Sequence, residues 1–221
     1  MRKILTLTVA VLLPLLCLAQ AGGGGIRFLG IPVKGTRDAM YRELLDKGFR
    51  TEPAGGMSGV FNGSDVLLYI GTDGAWVNRV AVHFPLEGEN EARERYASLL
   101  KQFRRLPKYV EMPLDNPPAD DGLDAERRLA ADEGTLTATF LLTEEWNRAR
   151  VRFQSWMDVR TVPVIQSLDK PDEDLEAHWK EIVEDAVTGS VRLQVFEAGE
   201  NRYRVVLFYD SLDTMPEGSD L

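Results

Sequence analysis

Cysteine occurs once in the 221 residues, at Cys17, and histidine only twice, at His83 and His178. A disulfide framework needs paired cysteines, and zinc sites draw on clustered cysteine and histidine at fixed spacing. His178-Trp179-Lys180-Glu181 lacks the second histidine one turn on that the H-E-x-x-H arrangement requires. Both histidines therefore read as ordinary, partly exposed residues. Positive charge is also in deficit, with 26 Lys and Arg against 35 Asp and Glu. That balance favours solubility and disfavours non-specific binding to nucleic acid or to an anionic membrane. Beyond the N-terminus, no apolar run is long enough to span a bilayer.

What is present begins with a leader. Arg2 and Lys3 form a short basic region, Ile4 to Leu16 an apolar one, and Ala19-Gln20-Ala21 a small-x-small cleavage site. This is the layout of a secretory signal peptide over residues 1–21, and it predicts an exported protein, periplasmic or extracellular. A lipoprotein anchored through Cys17 is the rival reading, disfavoured by Leu16 where that signal wants a small residue. Cleavage after Ala21 leaves 24 basic residues against 35 acidic, a net charge of −11, and no cysteine. Stability must then come from a packed core. Residues 22–25 read as a flexible glycine leader, 26–210 as a single domain, and 211–221 as a frayed acidic tail.

Three segments carry helical periodicity. In the first, Thr36 stands as N-cap, Met40, Tyr41, Leu44 and Leu45 share a face, and Gly48 followed by Phe49 predicts a Schellman ending. The second runs from Asn90 to Leu106 on a stripe of Ala92, Tyr96, Leu99, Leu100 and Phe103, with acidic residues first, basic residues last and Pro107 as a stop. The third spans Asp172 to Val187, with Leu175, Trp179, Ile182, Val183 and Ala186 on one side and Gly189 after its end. Strand-like alternation appears at Val66–Ile70 and Trp76–Phe84, joined by Thr72-Asp73-Gly74, and at Thr135–Leu142 and Arg150–Gln154. Val191–Phe196 and Tyr203–Tyr209 flank a hairpin turn at Ala198–Asn201. Alternation implies sheets with one wet face. The predicted fold is α+β, a mostly antiparallel twisted sheet of about seven strands with about three helices on one face. Residues 111–133 read as a long internal loop.

Several patterns approach a catalytic motif without meeting it. Gly30-Ile31-Pro32-Val33-Lys34-Gly35-Thr36 has the glycine spacing of a phosphate loop, but its lysine comes one residue early. Pro32 also removes an amide from the cradle, so the stretch reads as a strand exit and helix cap. Gly56-Met57-Ser58-Gly59-Val60 misses the last glycine of a nucleophile elbow, and no helix follows. Asp120, Gly122 and Asp124 lack the spacing and distal glutamate of a calcium loop. No cofactor-binding, metal or catalytic set is read from the chain.

The feature with the strongest binding chemistry is cationic. Arg148, Arg150 and Arg152 share one face of a predicted strand, and Arg192, Arg202 and Arg204 lie on the C-terminal hairpin. Were those strands neighbours, their guanidiniums could grip carboxylate, sulfate or phosphate in bidentate fashion. Trp146 and Trp156 flank the first group, and Trp with Arg is the composition of protein-binding hot spots. The competing reading is a solvated face paired with the acidic surplus.

Phe28, Gly30, Ile31, Pro32, Gly35 and Thr36, followed by a helix and Lys47-Gly48-Phe49, form a signature F-x-G-I-P-x-x-G-T … K-G-F behind a basic, leucine-rich leader. It resembles the opening of an uncharacterised group of small exported proteins of Bacteroidetes. The strand–helix order through Val80 to Phe103 and the ending Tyr203–Asp210 look similar too, while Asp115–Glu133 departs from the group. The resemblance implies export and a fold, and brings no catalytic residue with it. The expected function is an exported, non-enzymatic module that binds a protein, peptide or envelope component through its sheet. The alternatives are a secreted hydrolase working on glycan or peptide through acidic residues, and an inhibitor of a secreted enzyme.

Overall fold

The computed structural model describes residues 24–112, 136–164 and 173–212. The leader with Cys17, most of the loop predicted at 111–133 with its Asp120–Asp124 cluster, and the tail beyond residue 212 lie outside the described residues. The described chain opens with a small hairpin of β1 (Arg27–Phe28) and β2 (Ile31–Pro32). Leu29 and Gly30 between them both take positive φ, 50° and 84°, the I′ geometry whose twist suits a two-residue turn.

Helix α1 (Arg37–Asp46) starts and stops where its sequence directs. Thr36 is extended (φ −79°, ψ 151°), and its hydroxyl accepts from the amide of Ala39 at 3.4 Å. At the other end Gly48 takes φ 91°, and the amides of Gly48 and Phe49 donate to the carbonyls of Leu45 and Leu44. This Schellman ending carries Phe49 into the core that holds Leu44. The Gly35 carbonyl accepts from the Val77 amide at 2.8 Å, so the loop that resembles a phosphate cradle is tied to a strand.

Seven more strands and a second helix follow from the alternation and the striped segments: β3 (Arg50–Thr51), β4 (Met57–Phe61), β5 (Ser64–Asp73), β6 (Trp76–Glu87), α2 (Glu89–Arg105), β7 (Tyr109–Glu111), β8 (Leu136–Leu142) and, near the end, β9 (Gly189–Glu197). With β10 (Tyr203–Ser211) they make one antiparallel sheet in the order β3-β4-β5-β6-β10-β9-β8-β7. The short strands β3 and β7 are its edges among the described residues. One register row, Leu68–Val82–Leu207–Leu193–Ala138, crosses five strands with every member fully buried. Burying a large apolar side chain is worth about 1.5–3 kcal/mol, so rows of this kind hold the sheet to its helices. Above them pack Met40 and Leu44 of α1, Ala92, Tyr96, Leu99 and Phe103 of α2, and Phe28 and Ile31 of the small hairpin. Arg95 fixes α2 by pairing with Glu87 and donating to Ser64 (2.8 Å), and Arg104 pairs with Glu111 of β7.

The structure corrects the strand expected at Arg150–Gln154. Residues Thr143–Val164 form a helix, α3, which pairs with α4 (Glu173–Ala186). The five-residue alternation there coincides with a helical stripe: Ala149, with Phe153 one turn on, meets Ile182, Val183, Ala186 and Trp179 of α4. Trp146 meets Trp179 edge-on at 5.2 Å between ring centres. The two apolar residues of the supposed strand part company, Val151 being 65% exposed while Phe153 is half-buried. A helix becomes the stable choice because α4 supplies the second apolar face. Four helices are therefore described where about three were expected, and this pair has a small core of its own. Its tether is Glu145, 1% exposed, whose carboxylate accepts from both the amide (3.2 Å) and the hydroxyl of Thr188. No helix among the described residues is long and apolar enough to cross a membrane.

Candidate functional site

Because strand side chains alternate, the residues between the buried rows project from the face opposite α1 and α2. Two register rows define that open face. One runs Ser58–Leu67–His83–Val206–Gln194–Thr137, the other Tyr69–Ala81–Phe208–Arg192–Thr139. A third, partial row sets Leu86 opposite Arg204 and Arg204 opposite Phe196. Five of the ten large apolar side chains left exposed in the described residues belong to this face: Val60, Leu67, Tyr69, Leu86 and Phe196. An exposed apolar cluster on one surface marks a contact site more often than scattered exposure does.

Arginines surround the apolar side chains. Asp210 accepts from the Nε of Arg79 and, at 3.3 Å, from Arg192. The two guanidiniums lie 5.1 and 5.3 Å from the ring centre of Phe208. One carboxylate thus serves two cations. Arg204 has no ion pair or side-chain hydrogen bond among the described residues, and its Nε is buried without a partner. The Nδ1 of His83 is in the same position, and the ring of Tyr69 meets His83 edge-on at 4.8 Å. Burial pulls the pKa of His83 below its ordinary value, and the charge of Arg204 lowers it further. Buried polar atoms are normally satisfied, so orphans gathered on one face point to a missing acceptor.

Beside them lies an open trough of about 700 Å³. Val60, Leu67, Pro85 and His83 line it, with Lys47, Arg50 and Arg204 as cations and Asp65 as its one carboxylate. In an acidic chain this corner of the surface is locally positive.

The arginines expected from sequence do not gather. Arg192 and Arg204 share the open face, about 14 Å apart along the strands at roughly 3.4 Å per residue. Arg202 sits at the hairpin turn and donates to the Leu86 carbonyl at 2.7 Å. Arg148, Arg150 and Arg152 are on α3; Arg148 and Arg152 lie one turn apart on its outer side, and Arg150 points elsewhere. Arg152 pairs with Asp185 of α4. Trp156 stacks on Phe153 and on His178 at 5.7 and 4.1 Å, within the helical pair. Ser58 is the second residue of β4, and Gly56, two residues before it, has φ 82° with no room for a Cβ against the Leu68 carbonyl, 2.5 Å away. Among the described residues no group of three His, Cys, Asp or Glu could hold a metal ion.

The sequence reading missed Arg79, Leu67, Tyr69, Phe208 and Asp210. Their signal was available: Leu67, Tyr69, Phe196 and Phe208 are apolar at positions that alternation assigns to the wet face. Comparison with models of protein families, with curated proteins and with solved structures gives no match to this chain.

Proposed function

We propose that the chain is a non-enzymatic binding module whose open sheet face docks an extended polypeptide segment carrying both acidic and apolar side chains. The observation that supports it is the exposure of Leu67, Tyr69, Leu86 and Phe196 on the one face that also presents Arg204 without an ion pair. Apolar side chains supply the area that binding needs, and the unpaired cation selects charge and register. The trough is open to solvent rather than enclosed, which admits a chain laid over it as well as a compact ligand. With the leader expected from residues 1–21, the partner is a protein or peptide of the cell envelope or its surroundings. Glycoside hydrolysis would want two carboxyls roughly 5–10 Å apart, and the trough lining offers only Asp65.

The test uses fluorescein-labelled peptides of about twelve residues, repeating Glu-Leu, Glu-Ser or Lys-Leu, titrated with the purified chain. Glu-Leu should bind most tightly, Glu-Ser weakly and Lys-Leu not at all, with affinity falling as salt is added. Replacing Leu67, Tyr69 and Phe196 together by serine should abolish the Glu-Leu signal. Equal binding of all three peptides, or indifference to that triple substitution, would remove the proposal.

A further inference from the structure

We infer that the trough beside β10 is an anchor for one carboxylate of the bound segment, gripped by Arg204 with His83 alongside, while the adjoining apolar side chain rests on Leu67 and Val60. The inference depends on the docking reading above and adds the chemistry of its most selective contact.

Two polar atoms in this one corner are buried and unpartnered, the Nε of Arg204 and the Nδ1 of His83. Both residues line the trough. A carboxylate suits the two side chains that carry them: it accepts from a guanidinium in bidentate fashion and from an imidazole N–H. Leu67 is paired directly with His83 across β5 and β6, so an apolar surface adjoins the anchor. Asp65 in the same lining limits the negative charge that can enter, which favours a singly charged carboxylate over a doubly charged phosphate.

The anchor is coupled to protons. The groups facing His83 are Tyr69 and Asp65 from β5 and Arg204 from β10, with Lys47 and Arg50 across the trough. In the free protein burial and then Arg204 disfavour the protonated ring. A bound carboxylate offsets the Arg204 charge and adds a negative neighbour, so the proton affinity of His83 rises on binding. Binding then takes up protons, and affinity increases as pH falls through the interval between the free and bound values.

Fluorescence anisotropy with the Glu-Leu peptide across about pH 5–8, on the full chain and on the variants Arg204→Gln, Arg204→Lys, His83→Gln and Tyr69→Ser, tests this. Circular dichroism confirms that each variant is folded. Arg204→Gln should weaken binding about tenfold or more at every pH, and Arg204→Lys should lie between it and the parent. His83→Gln should still bind but lose the rise in affinity toward low pH. A phosphoserine-Leu peptide should bind less well than Glu-Leu. Unaltered binding by Arg204→Gln alongside failure of Tyr69→Ser would overturn the anchor and leave the docking reading intact. Indifference to both would sink the two together, and a pH slope that survives His83→Gln would remove the proton coupling.

Discussion

Replacing Gly189 with alanine inserts one methyl group where the structure has no space for it. Gly189 opens β9 and is paired with Ser211 at the end of β10. A Cβ there would come 2.3 Å from the Asp210 carbonyl oxygen, 2.6 Å from the Cγ1 of Ile26 and 3.3 Å from the Cα of Ser211. Two of these neighbours are backbone atoms of β10, a strand paired on both sides, and Ile26 is buried in the core, so none can step aside cheaply. Overpacking of a filled core costs about 1–3 kcal/mol, and a clash against backbone belongs at the top of that range. The substitution also removes glycine's freedom in the unfolded chain, which returns about 0.4–1 kcal/mol. The net expectation is a loss of about 2 kcal/mol, or a midpoint lowered by about 4–8 °C for a chain of this size. Thermal unfolding followed by circular dichroism reads it, with Gly24→Ala as the control, since a Cβ at Gly24 meets nothing within 4 Å. Asp210 carries the shared ion pair on the open face, so the displaced strand should also disturb Arg79 and Arg192. Equal midpoints for Gly189→Ala, Gly24→Ala and the parent would refute the packing argument.

Glu145→Ala strips the Thr188 amide of its acceptor and should cost about 2 kcal/mol. Hydrogen exchange should show the loss concentrated in α3 and α4, with β5 and β6 nearly unchanged. His83, whose folded pKa lies below the unfolded value of 6.5, binds protons less readily when folded, so its contribution is present above that value and lost as pH falls through and below it. Denaturant titrations at about pH 8 and pH 5 should show a smaller acid loss in His83→Gln than in the parent. Asp210→Asn leaves Arg79 and Arg192 without their shared carboxylate; because these arginines are partly solvated, stability should fall by only about 1 kcal/mol. The same substitution should tighten binding of the Glu-Leu peptide at low salt, which anisotropy would measure.

Much of the scaffold was legible because its signals are local. Thr36, Gly48 and Phe49 specify the ends of α1 by hydrogen bonds within a few residues, and the stripe from Ala92 to Phe103 needs only its own period. The segment around Val151 was not legible in that way. Five residues fit either period, and the deciding partner, Trp179 with Ile182, stands some thirty residues on. The candidate site was only partly readable for a related reason. Arg192 and Arg204 could be placed on a hairpin from the turn at Ala198–Asn201, but that Arg79 and His83 of β6 lie alongside β10 is a matter of strand order. Strand order is set by the summed burial of distant rows, and no single residue announces it.

Among the described residues, the two end strands of the sheet give the open face its setting. Arg50–Thr51 and Tyr109–Glu111 are too brief to offer a visitor more than a few backbone hydrogen bonds, and each carries a charge. A molecule built so can display leucine, tyrosine and phenylalanine to solvent with little risk that copies zip together side by side into fibres. On the proposed docking reading, recognition falls to side chains, which can be exchanged one at a time. Affinity for a new partner could then be acquired by substitution on that face while the rows beneath keep the fold unchanged.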